Sequence, residues 1–160
     1  MYFAYKSILV AVDGSSEAER AFEKAIGIAK RNTAVLNIIY VVDSRSYTAI
    51  KLHEPHIEDE AFKHGRELLE GYKAKALDSG VQEAHTFVVP GSPKKVIARD
   101  YAKQLSADLI VCGAQGLNAF EHFLLGSVSQ HIVRSSPCDV LVVRQTGPKN
   151  KKPKERIEYK

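Results

Sequence analysis

Four residues in the second half of the chain have the types and spacing of an anion site. Gly113 and Gly116 are two residues apart, and nine residues then precede the pair Gly126-Ser127, giving G-x2-G-x9-G-S. Glycine lacks Cβ, so the backbone there can turn sharply or come against a ligand. A Gly-Ser pair opening a helix presents unpaired N–H groups at the positive end of the helix dipole, and Ser127 adds a hydroxyl donor. Phosphate is the natural guest. The plainer reading is a strand-to-loop turn at Gly113 and Gly116 with Ser127 as a helix cap, and spacing alone leaves the two readings level. No Lys or Arg occurs between Gly113 and Gln130. Backbone N–H groups, Ser127 and a divalent cation would have to balance a phosphate chain.

Asp13 is the other candidate. It ends the first apolar run, where it either faces a ligand or accepts from the Ser15 or Ser16 backbone as a turn cap. Other chemistries find less support. His53, His56 and His64 lie near Glu54, Glu58, Asp59 and Glu60, but H-x2-H across Pro55 lacks the i, i+4 spacing of a helical metal pair, and the stretch reads as a solvated loop. Glu121-His122 sits inside the glycine-spaced loop, within reach of a ligand. There is no G-x-S-x-G elbow and no Gly-Lys-Ser/Thr phosphate loop. A flavin carrier would want a Ser/Thr-rich loop after the first strand, where DGSSEAE carries acids. The apolar residues Phe120, Phe123, Leu124 and Leu125 read as core packing, with a flavin or partner contact as the alternative.

The elements that position these residues alternate. Ser7–Val12 and Val35–Val42 are continuous β-rich runs, as expected of strands buried on both faces. Between them Ala18, Ala21, Phe22, Ala25, Ile26 and Ala29 have helical spacing, with Ser15 or Ser16 as cap and Glu17 and Glu19 favouring the positive helix start. Residues 43–55 read as a loop, and Glu58 to about Leu77 as a second helix. Ala84–Val89 is the third strand; Ser92 caps and Pro93 starts a third helix to about Leu105. Leu109–Cys112 is the fourth strand, Leu125–Arg134 a fourth helix and Val140–Val143 the fifth strand. This βαβαβαβαβ order predicts an α/β fold: a five-stranded parallel open sheet with helices on both faces. Ligands of such sheets bind beyond the strand carboxyl ends, where strand order reverses, so Asp13, Val41–Asp43, Gly91 and Gly113 onward are the residues to inspect.

The chain has 160 residues and a formal net charge of +4. Residues 145–160 carry six Lys/Arg against two Glu, which leaves 17 of each sign in residues 1–144. The charge therefore belongs to a basic, flexible tail rather than to a nucleic-acid-binding face, and residues 1–144 form the expected single domain. Cys112 and Cys138 lie in apolar runs and read as buried free thiols. No run approaches the ~20 apolar residues of a membrane span, and the N-terminus lacks a signal-peptide pattern; a cytoplasmic location is the expectation.

Several of these segments together resemble the universal stress protein family. The matching stretches are ILVAVDGSSEAERA, Tyr40-Val-Val-Asp43, Gly91-Ser-Pro93, Ala107–Gly113, and Leu124–Ser129 followed by Pro137–Val143. The glycine pattern is that of the family's ATP-binding branch. The resemblance implies strand order 3-2-1-4-5 and a site for ATP or another adenine nucleotide, with Mg2+ as counter-charge. Gly113 and Gly116 would line the ribose and phosphates, and Gly126, Ser127 and Val128 would hold the phosphates. Asp13 would meet the ribose or a phosphate-bound metal, Val41 the adenine edge through its backbone, and Ala11 would floor the pocket. Val12 and Ser129 complete the implied binding set. The resemblance also implies a role in stress response, a homodimer through Val140–Val143, and at most slow ATP hydrolysis, because no base or arginine finger stands near the loop. Two other classes stay open: a dimeric interaction scaffold that binds no nucleotide, and a flavin or redox carrier.

Overall fold

Strand β1 (Ser7–Ala11) takes the centre of a five-stranded parallel sheet in the computed structural model, which describes residues 3–47, 53–115 and 125–144. Its residues Ile8, Leu9 and Val10 are completely buried, because helices cover both faces. Successive side chains point to opposite faces, so Ile8 and Val10 enter one core layer and Leu9 the other. On either side stand β2 (Val35–Val42) and β4 (Leu109–Gly113), with β3 (Ala84–Pro90) and β5 (Asp139–Val143) outermost. The order is β3-β2-β1-β4-β5, as expected. Strand order reverses between β1 and β4.

Helices α1 (Ser16–Asn32) and α2 (Ile57–Asp78) pack on one face. The apolar stripe read from the sequence of α1 is the buried one, with Glu17 joining it. Ser15 caps α1 by accepting from the Ala18 N–H at 3.1 Å. The other face is covered by α3, which runs Pro93–Lys95, Val96–Tyr101 and Ala102–Gln104, and by α4 (Ser127–Ser135).

Four details differ from expectation. The middle of α3, Val96–Tyr101, is π-helical, and its wider turn turns three successive residues, Val96, Ile97 and Ala98, into the core. Ser92 makes no side-chain cap at the start of α3; its carbonyl accepts from the Val96 N–H at 2.9 Å instead. Ser44–Tyr47 forms a 3-10 turn inside the segment expected to be a loop. Helix α4 starts at Ser127, not Leu125, with Gly126 as the extended residue before it. Cys112 is buried, and burial pushes its thiol up to about 12; Cys138 is only half-buried, and neither is in a disulfide. Among the described residues no helix is long and apolar enough to cross a membrane, and no three His, Cys, Asp or Glu side chains cluster as metal ligands.

Candidate functional site

The carboxyl ends of β1, β2 and β4 bring most of the predicted residues to one rim of the sheet. Ala11, at the end of β1, and Val41, near the end of β2, lie on the face covered by α3 and α4, where Val128 also packs. Val12 goes the other way. Its side chain is buried against α1 and α2, and its N–H donates to the Ile39 carbonyl at 3.0 Å. Asp13 is half-buried in the turn before α1, where its Oδ1 accepts from the Ser15 N–H at 2.9 Å. The turn-cap role is therefore present, and it occupies one of the two carboxylate oxygens.

Gly113 closes β4 opposite Val143. A Cβ there would stand 3.1 Å from Cβ of Glu17 and 3.2 Å from its carbonyl carbon, so α1 comes against β4 only because residue 113 has no side chain. The chain then turns back on itself. The Gly126 N–H donates to the Ala114 carbonyl at 2.7 Å, and the Ala114 N–H to the Val143 carbonyl at 2.9 Å. Ser129 is buried, with its Oγ 2.8 Å from the Ala114 carbonyl and 3.0 Å from that of Gly126. Its hydroxyl is thus spent on holding the start of α4 against the end of β4. Gly116 lies outside the described residues, as do Phe120, Glu121, His122, Phe123 and Leu124.

What remains unpaired is backbone. The first N–H groups of a helix have no partner within it, and Gly126 offers no side chain to cap them. The N–H groups of Ser127, Val128 and Ser129 meet no acceptor among the described residues. Ser127 itself is exposed. Three donors without a partner among the described residues, at the positive end of a nine-residue helix, are chemically suited to an anion. Pro93–Lys95, the first turn of α3, lies against α4 and carries Lys94 and Lys95.

Asp43, just past the end of β2, is already engaged. Arg45 grips Asp43 with its Nε and a terminal nitrogen, each at 2.9 Å, and holds its carboxyl below the usual range. Tyr40, one residue before Val41, has its hydroxyl pKa raised, first by burial and then by the nearby Tyr47 and Asp13. His64 lies edge-on to the Tyr40 ring, and His56 faces Asp59 at 3.9 Å at the start of α2. His56 and His64 thus have separate neighbours.

Sequence reasoning missed Glu17 as a site residue. It read Glu17 as a charge favouring the helix start, whereas the side chain turns inward and accepts from the Gln115 N–H at 2.6 Å. The signal was available. Glu17 is four residues before Ala21 and next to Ala18, in step with the buried stripe of α1.

The family model described as the universal stress protein family matches residues 4–144. A Staphylococcus aureus (strain USA300) protein named for that family is 50% identical over 140 residues, covering 88% of this chain and 84% of its own. Among solved structures, the universal stress protein UspA from Lactobacillus plantarum superposes with a TM-score of 0.82 at 34% identity, covering 89% of this chain and all of that one. A universal stress protein in complex with cAMP superposes at 0.66 with 28% identity, covering 89% of this chain and 98% of the other.

Proposed function

The chain belongs to the universal stress protein family, and on that premise we propose that it binds an adenine nucleotide, ATP, ADP or AMP, in the service of stress adaptation. The single observation that carries the reading is the row of open N–H groups on Ser127, Val128 and Ser129 beside Gly126, where the sheet's strand order reverses. Ala11 and Val41 offer an apolar floor on the same side, and the second oxygen of Asp13 is available to a ribose hydroxyl or to Mg2+ riding on the phosphates. A neighbouring family structure holding cAMP supports the choice of adenine. Gly113 and Gly116 would line the ribose and phosphates. With no Lys or Arg from 113 to 130, hydrolysis of ATP is slow at most, and binding itself is the function.

Titration calorimetry with ATP and Mg2+ tests the reading. Gly126→Val puts a branched side chain where phosphate must approach the backbone. It should weaken binding by more than about tenfold while costing no more than about 1 kcal/mol of stability. Equal affinity in variant and parent would remove the assignment.

We infer also that two copies pair along β5, the outer strand, which bonds to β4 alone among the described residues. A bare strand edge favours such pairing. Sedimentation as a monomer at high micromolar concentration would exclude it. The interaction scaffold without nucleotide is the reading that these experiments would leave standing.

A further inference from the structure

Glu17 is the one buried carboxylate among the described residues, 9% exposed, and no role assigned so far uses it. Its Oε2 accepts from the Gln115 N–H at 2.6 Å, joining the first turn of α1 to the residue two places beyond the end of β4. The stem of the side chain lies against Gly113. On the far side, the Gln115 Cα is 3.5 Å from where a Cβ on Gly126 would be. A fixed negative charge therefore stands one residue's width from the open start of α4. Its second oxygen, Oε1, meets no donor among the described residues and is not sealed from solvent.

The loop itself supplies no opposing charge. No Lys or Arg occurs from Gly113 to Gln130, and the donors at the helix start are neutral N–H groups. A monophosphate seated on those N–H groups lies at the helix start. A longer phosphate chain brings up to four negative charges into a rim that already holds a carboxylate, and like charges at such range cost enough to change affinity by an order of magnitude. A divalent cation reverses the sign of that contact, because hard cations take oxygen ligands and Oε1 is one.

We propose that Glu17 is a specificity-determining residue of the phosphate site, making the binding of a polyphosphate conditional on a divalent cation while leaving a monophosphate indifferent to it. The inference rests on the nucleotide reading above. Glu17 has two separable parts: the acceptor that holds Gln115, and the charge that faces the phosphates. Gln keeps an acceptor oxygen and loses the charge.

Titrations of the full chain with AMP and with ATP, each with excess Mg2+ and with EDTA, separate the possibilities. In the parent, ATP affinity should fall at least about tenfold in EDTA and AMP affinity by less than about twofold. Glu17→Gln should bring ATP affinity in EDTA to within about threefold of its value in Mg2+, with AMP unchanged. Glu17→Ala is the second variant. It should also lose the cation dependence, while the loosened loop weakens both nucleotides by a common factor, so the readout survives if the Gln protein folds poorly. If nucleotide binds and the variants keep the parent's dependence on Mg2+, the role of Glu17 is refuted and the nucleotide reading stands. If neither nucleotide binds in any condition, both fall together.

Discussion

The two ends of the sheet treat their polar groups in opposite ways. At the amino end three successive backbone donors are met by side chains. Asp108 accepts from the Lys6 N–H at 2.8 Å and the Ser7 N–H at 3.1 Å, and Asn32 accepts from the Tyr5 N–H at 3.1 Å. The Ser7 hydroxyl donates to the Leu105 carbonyl at 2.9 Å and accepts from the buried Asn37 amide at 3.2 Å. The Tyr5 hydroxyl closes the row on Asp139 at 2.9 Å. At the carboxyl end, side chains such as Ser129 and Glu17 fix the backbone in place, yet three N–H groups at the start of α4 meet no acceptor among the described residues. Satisfied groups hold a fold together; open, pre-positioned ones receive a ligand. On the proposed reading, one end serves stability and the other binding.

The largest test of that contrast is made at the closed end. Asp108→Ala strips the acceptor from two backbone N–H groups, and hydrogen bonds to a charged partner are the stronger kind. Stability should fall by about 2–3 kcal/mol in urea denaturation, while nucleotide affinity in the folded protein stays within about twofold. A variant that lost affinity in proportion to stability would erase the distinction between the ends.

The sequence makes the two ends unequally legible. Strands buried on both faces announce themselves as unbroken apolar runs, so the parallel sheet and the stripe of α1 follow from Ile8–Val10, Leu36–Val42 and the spacing Ala18–Ala29, while the strand order follows only from the family resemblance. Gly113, Gly126 and Ser127 are legible too, because glycine spacing and a helix start point to phosphate. The network around Asp108 is not, since it links residues about a hundred positions apart and leaves no periodic trace. The partner of Glu17 is hidden for the same reason: the residue looks like a dipole charge until the fold shows that the Gln115 N–H claims it. The π turn of α3 also escapes, because its residues are ordinary helix formers and tertiary burial widens the turn.

A smaller effect lies between the two ends, in the clamp that joins α1 to α2. Glu19 accepts from Lys75 at 2.8 Å and from the Tyr72 hydroxyl at 2.9 Å, and Lys75 also reaches Glu23 at 3.3 Å. The bond from Lys75 is the main cause that lowers the Glu19 carboxyl from its usual 4.5. A carboxyl with a depressed folded pKa contributes stability above its unfolded value and loses it as pH falls through the folded one. The contribution should therefore be complete at neutral pH and be lost progressively as pH falls below about 4.5. With both side chains more than 40% exposed, it amounts to roughly half a kcal/mol. Lys75→Met, which keeps the stem against Phe22, should flatten this part of the acid profile measured by denaturation between pH 3 and pH 6, leaving nucleotide affinity at neutral pH unchanged.

The claim that the carboxyl end is a nucleotide receptor is tested most directly by melting the parent and Asp13→Ala, each with and without millimolar Mg-ATP. A ligand at a hundred times its Kd stabilises the native state by about 2.7 kcal/mol. For a chain of this length that is a rise of roughly 5–10 °C in the parent's Tm. Asp13→Ala loses the turn cap, about 1 kcal/mol of stability without ligand. It also loses a partner for ribose or metal, so its nucleotide-induced rise should shrink to a small part of the parent's. A well-folded parent whose Tm does not move with Mg-ATP, and a variant that shows the stability loss alone, would contradict the account and leave a scaffold whose carboxyl end binds no nucleotide.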